Sequence, residues 1–196
     1  MTSVVASETS LYEFVASATD APSAIHVGAV TFKGLMSSLL DLLVDQSISA
    51  TVWAKLPKGG AWQNELERYA ELSIAQRIYL LRNQREEVVA EPIEKLRFSH
   101  SFPAPVSVQL PIDSPLRREY FLLIWSEKFS AVLVAQRAKH LVAVREGDTF
   151  AQVEPEEGAE KKQSLTAFLS LDATIVRAAI AMMHPLTPEV LPEISQ

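Results

Sequence analysis

The four histidines, His26, His100, His140 and His184, are scattered singly along the chain. No pair has the His-Glu-x-x-His or a comparable spacing that sets two metal ligands on one helical face. Distant residues can converge in a fold, so the spacing disfavours a metal centre without excluding one. Cysteine is absent, which removes disulfides, thiolate zinc sites and a cysteine nucleophile together. The same absence removes a thioether-linked tetrapyrrole and a cysteine–flavin adduct. Lys58-Gly59-Gly60 lacks the Gly-Lys-Ser/Thr ending that wraps backbone amides around phosphates, so it reads as a turn. There is no Gly-x-Ser-x-Gly elbow. Glu86-Glu87 and Glu156-Glu157 are adjacent carboxylates on polar stretches, where solvation is the ordinary outcome, and acid–base work would require convergence in a pocket. Trp53, Trp62, Trp125, Tyr69, Tyr79 and Tyr120 could line a ligand pocket, although aromatic residues more commonly fill core faces. No catalytic residue and no cofactor is expected.

The bulk properties point to a soluble mixed α/β domain without recognisable chemistry. A chain of 196 residues with 48% hydrophobic content can bury a sizeable core in one domain. A net charge of −6 argues against a nucleic-acid surface, which needs clustered Lys and Arg. The adjacent basic pairs are Arg117-Arg118 and Lys161-Lys162, each preceded nearby by acidic residues. The first residues lack the basic and apolar regions of a secretory signal. The strongest apolar stretch, Tyr120 to Ala135, is interrupted by Ser126-Glu-Lys and too short to span a bilayer. A cytoplasmic protein without membrane contact is therefore expected.

These residues must be positioned by a mixed set of elements. Ser10-Leu-Tyr-Glu opens a short helix with Leu11, Phe14, Val15 and Ala18 at helical spacing, and Ser10 with Glu13 forms a capping box. An extended piece over 26–30 leads to a helix whose stripe is Phe32, Leu35, Met36, Leu39, Leu40 and Leu43. That stripe could dock a partner, but core packing is the commoner use. A strand over 48–56, a helix over 61–76 and a strand over 77–81 follow. The stretch 83–94 fits a helical turn or a loop equally. Short strands are expected at 96–98 and 106–110. Tyr120-Phe-Leu-Leu-Ile-Trp125 and Phe129-Ser-Ala-Val-Leu-Val-Ala135 are continuous apolar runs joined by Ser126-Glu-Lys, which predicts a central antiparallel hairpin covered on both faces. An edge strand at 142–144 comes next, then a polar loop at 154–162. A last helix over 171–183 is capped by Asp172, with Ile175, Ala179 and Met182 facing the core. The fold class is mixed α+β: a central mixed sheet with an antiparallel hairpin, packed against helices. One domain covers 1–184, and Pro185, Pro188 and Pro192 mark a loose tail over 185–196.

Two segments carry a family resemblance. Trp62-Gln-Asn-Glu-Leu-Glu-Arg-Tyr-Ala-Glu-Leu72 is similar to an aromatic–x–x–Glu–x–x–Arg–Tyr–x–x–Leu helix, through Trp62, Glu65, Arg68, Tyr69 and Leu72. Pro115-Leu-Arg-Arg-Glu-Tyr-Phe-Leu-Leu-Ile, followed by Phe129 to Arg137, is similar to a Pro-Leu–x–x–Glu-Trp turn leading into two buried strands. Both resemble the DICT sensory domain, named for diguanylate cyclases and two-component proteins. Weaker echoes are Ser10-Leu-Tyr-Glu, the Leu35–Leu43 helix and the Phe168–Ile180 region. Three positions depart from the pattern: Tyr120 stands for Trp, no aromatic–Gln pair follows Leu56-Pro57, and only Asp41 remains of an acidic pair in the Leu-rich helix.

The resemblance implies a non-catalytic bacterial signalling module, with many relatives in cyanobacteria. Such modules are often fused to an output domain, for which this chain has no room, so a stand-alone adaptor is expected. Its partner would be a sensor histidine kinase, a response regulator or a diguanylate cyclase, with a homodimer left open. The partner- or ligand-binding residues it points to are Trp62, Glu65, Arg68, Tyr69, Arg117, Arg118 and Glu119. The alternative is a small-molecule sensor with its pocket between the sheet and the 62–72 helix. Arg68 is expected to meet a carboxylate, with Glu119 as the first choice.

Overall fold

The computed structural model describes residues 10–57, 64–71, 75–83, 105–138 and 164–187. In chain order the elements are α1 (Leu11–Ser17), β1 (Ile25–Gly28), α2 (Ala29–Asp45), β2 (Thr51–Lys55), α3 (Asn64–Glu71), β3 (Arg77–Asn83), β4 (Val106–Leu110), β5 (Glu119–Trp125), β6 (Ser130–Arg137), β7 (Ser164–Ser170) and α4 (Ala173–Met183). A 3-10 turn, Pro115–Arg118, introduces β5. The expected edge strand at 142–144, the strand at 96–98, the polar loop at 154–162 and nearly all of the ambiguous stretch 83–94 lie outside the described residues.

The strands form one seven-stranded sheet in the order β1-β7-β6-β5-β2-β3-β4. β2, β3 and β4 run parallel, while β2–β5, β5–β6, β6–β7 and β7–β1 are antiparallel. The central hairpin is present: Ser126 closes it, its amide donating to the Phe129 carbonyl at 2.9 Å. β5 lies between β6 and β2, which is why Phe121 to Ile124 is apolar without interruption: alternate side chains enter two different cores.

On one face, Val52, Ala54, Ile78, Leu80, Leu122, Ile124 and Leu133 pack against α2 and α3. On the other, Trp53, Tyr79, Leu81, Phe121, Leu123, Val132 and Val134 pack against α1 and α4. The α2 stripe is therefore core, with Phe32, Met36, Leu40 and Leu43 fully enclosed and Leu35 and Leu39 at its margin.

Several expected boundaries shift. α2 begins at Ala29, so the extended piece stops at Gly28. Ala75 and Gln76 are outside α3, and the Gln76 amide donates to the Ala50 carbonyl at 3.0 Å, starting the β2–β3 pairing. β7 had no counterpart among the expected elements. Leu165 and Ala167 enter the α2–α3 core and Phe168 the α1–α4 core, and β6 pairs with β7 over residues 165–170. Leu171 is exposed, and α4 starts after Asp172, whose carboxylate accepts from the amides of Thr174 and Ile175 at 2.7 and 3.2 Å. Those two bonds hold the Asp172 carboxyl below its usual range. The chain stays packed past the expected start of the tail: Thr187 is buried and accepts from the Trp53 indole at 3.2 Å.

Candidate functional site

The residues of the two motifs sit in two places. Arg68 and Tyr69 belong to α3, in the layer shared with α2. Arg117, Arg118 and Glu119 lie where the 3-10 turn enters β5, and Glu119 faces the opposite side of the sheet, beneath α1. Trp62 is outside the described residues, as is the side chain of Glu65.

Tyr69 is consumed by the fold. Its ring is wholly buried, its hydroxyl donates to the Ile48 carbonyl at 3.1 Å, and it accepts from the Ala50 amide at 3.2 Å. Burial pushes its pKa up to about 12, against the opposing effect of the Ala50 bond. The acceptor is presented by the end of α2. Ser47 has φ 48°, and the amides of Ser47 and Ile48 donate back to the carbonyls of Val44 and Leu43, the paired bonds of a Schellman ending. Leu66, Tyr69 and Ala70 fill the space between α3 and the sheet.

Arg68 pairs with Asp41 of α2, both side chains about half exposed (50% and 44%). The expected Arg68–Glu119 pair is corrected by this geometry, because the sheet stands between α3 and the face to which Glu119 points. The period of α3 alone could not reveal which side of the sheet each motif occupies. The pair does join two sequence echoes, the α3 motif and the one remaining acid of the Leu-rich helix.

Glu119 is fully buried. Its Oε2 accepts the Tyr12 amide at 3.1 Å, its Oε1 the Gln136 side-chain amide at 3.4 Å, and it also takes bonds from the Ser10 hydroxyl and the Leu11 amide. Ser10 in turn accepts the Glu13 amide at 3.0 Å. The first three amides of α1, which no intrahelical carbonyl can satisfy, are all met in this way. Burial nevertheless outweighs the donors and raises the Glu119 carboxyl above the ordinary range.

Near the start of β5 the structure adds Lys55, which lies in neither motif, and Arg137, which the candidate binding residues did not include. Lys55, buried at the end of β2, donates to the carbonyls of Arg117 and Glu119 at 3.2 and 3.1 Å, and its Nζ lies 5.5 Å from the centre of the Tyr120 ring. Arg137, at the end of β6, donates to the Tyr120 hydroxyl at 3.2 Å. Arg117 ties the turn by donating to the Ile112 carbonyl at 2.7 Å, and Arg118 is exposed. A signal existed in the sequence: Lys55 and Arg137 are the cations that close two apolar strand runs.

Among the described residues no group of three or more His, Asp or Glu side chains could hold a metal ion. Among the same residues no helix is long and apolar enough to cross a membrane. The family model of the sensory domain in diguanylate cyclases and two-component systems, DICT, matches residues 8–138. No curated protein and no solved structure matches the chain. β7 and α4 lie beyond the matched residues, so the match covers both motifs, α1 to α3 and the sheet from β1 to β6.

Proposed function

The chain belongs to the DICT family of sensory domains, a signalling and not a catalytic family, and from that premise we propose that it is a sensory adaptor that binds a two-component or cyclic-di-nucleotide signalling protein. The observation that carries this reading is the division of labour among the motif side chains. Tyr69 and Glu119, the two with chemistry of their own, spend their polar atoms on backbone groups of the fold. Arg68, half exposed in its pair with Asp41, and the exposed Arg118 face solvent, which suits recognition of a charged surface.

Leu66, Tyr69 and Ala70 occupy the α3–sheet interface, which is the reason for assigning recognition to the outer surface instead of to a small-molecule pocket beneath this helix. The test is affinity purification from the native cell under contrasting light and redox conditions, with wild type, Arg68→Ala and Arg118→Ala as baits. Recovery of a histidine kinase, response regulator or diguanylate cyclase with wild type, reduced with a folded variant, supports the reading. Turnover of a substrate by the purified chain alone would overturn it.

A further inference from the structure

We propose that β1, an open edge of the sheet, pairs antiparallel with β1 of a second copy of this chain about a two-fold axis at His26. β1 and β4 are the two ends of the strand order. Successive residues of a strand present their N–H and C=O groups to alternate sides. The Ala138 amide donates to the Ser164 carbonyl at 2.9 Å, so Ser164 and Thr166 turn toward β6, and Leu165 and Ala167 toward β1. The register sets Val27 opposite Leu165 and Ile25 opposite Ala167, so these two residues of β1 bond to β7. The amide and carbonyl of His26 and the amide of Gly28 therefore point outward. Among the described residues no backbone group bonds to them. The Gly28 carbonyl, at the N-cap of α2, turns into the helix.

This outer row is complementary to itself. In an antiparallel copy centred on His26, each His26 amide meets the other His26 carbonyl, and each Gly28 amide meets the other Ala24 carbonyl. The side chains leave the approach open: Ile25, His26 and Gly28 are exposed, and a Cβ added at Gly28 would meet nothing within 4 Å. Edge strands that stay unpaired are commonly blunted by charge or proline. β4 stands directly between Pro105 and Pro111. β1 holds neither device: residues 21–32 contain no Asp, Glu, Lys or Arg in a chain that is 21% charged, and Pro22 lies before the strand, not in it. Ile25 and Val30 of the same stretch are exposed apolar side chains (36% and 76%). The lack of charge selects no acidic or basic partner strand, whereas the self-complementary row fits a second copy. The pairing carries one sheet through two chains. It goes beyond the adaptor reading, because it needs no signalling partner.

The test is sedimentation of the purified chain over a concentration series to about 1 mM, with amide hydrogen exchange measured at both ends of the series. A reversible monomer–dimer equilibrium is expected. The His26 and Gly28 amides should gain protection as dimer forms, while those of Ile25 and Val27, already bonded to β7, change little. His26→Pro removes an amide that bonds nothing within the chain, so it should stay folded by circular dichroism and lose the dimer. His26→Lys and His26→Glu each set like charges opposite one another across the axis. Each alone should associate roughly threefold more weakly than wild type or worse, and an equimolar mixture of the two should recover association. That pair of variants keeps the test decisive if His26→Pro fails to fold. A chain monomeric to about 1 mM would overturn the proposal and leave the edge to a strand of another protein. So would a dimer retained by folded His26→Pro, or a mixture that associates no better than each charged variant alone. Because no signalling partner is present, failure here leaves the purification result of the adaptor reading untouched.

Discussion

The Tyr12 amide and the Glu119 carboxylate, 107 positions apart in the chain, are joined by a hydrogen bond of 3.1 Å that fastens the first helix to the central sheet. Ser10 and Gln136 complete the junction, so the Ser10-Leu-Tyr-Glu echo and the Pro115-to-Glu119 motif are two halves of one contact. The glutamate of the motif therefore has a structural duty: it caps α1 from across the fold.

The pH dependence of that junction has a definite sign. Burial raises the Glu119 carboxyl, so the folded chain holds its proton more tightly than the unfolded one. From the ordinary glutamate pKa up to the raised value, stability falls as pH rises. Glu119→Gln removes this titration. The wild-type melting temperature should gain on that of Glu119→Gln as pH is lowered through the window, and a flat or opposite trend would refute the assignment.

Tyr69→Phe keeps the buried ring and deletes the hydroxyl that bridges Ile48 and Ala50. Two backbone groups lose their partner in a buried setting, which should cost about 1–3 kcal/mol in denaturant unfolding. A variant within a few tenths of wild type would show that water replaces the hydroxyl.

Arg68→Ala should lower stability by less than about 1 kcal/mol, because both members of the Arg68–Asp41 pair are half exposed and screened. A double-mutant cycle with Asp41→Ala should show coupling, and one with Glu119→Gln should show none. Coupling to Glu119 instead would contradict the placement of the two residues on opposite faces of the sheet.

Ser47 ends α2 with a left-handed backbone that glycine adopts without a side-chain clash. Ser47→Gly should stabilise the chain by roughly 0.5–1 kcal/mol, after the entropy that glycine adds to the unfolded state is counted. A loss of stability in chemical denaturation would indicate that the serine side chain contributes more than its backbone costs.

Ile124 is fully buried at the centre of the sheet on the α2–α3 face. Ile124→Asp should cost about 3–5 kcal/mol by placing an unpaired charge there. A melting temperature within a few degrees of wild type would be incompatible with the observed core.

Local chemistry made much of this legible in the sequence. The β5–β6 hairpin shows as two apolar runs about a short polar break, the α2 stripe has the helical period, and Ser10 and Asp172 stand where the first amides of α1 and α4 need acceptors. Such signals depend on neighbours within a few residues, and a single sequence contains them. The family resemblance, too, rests on short stretches of this kind. What the tertiary structure alone decided is which stretches share a face. β7 is a strand of mixed polarity whose pairing with β6 comes from hydrogen bonds that no local pattern encodes. Arg68 meets Asp41 and not Glu119 because side-chain alternation in β5 sends Glu119 to the α1 face while α3 packs on the other. Lys55 reaches the backbone of the turn before β5, and Arg137 meets the Tyr120 hydroxyl, because the antiparallel order β6-β5-β2 returns three chain segments to the same end of the sheet.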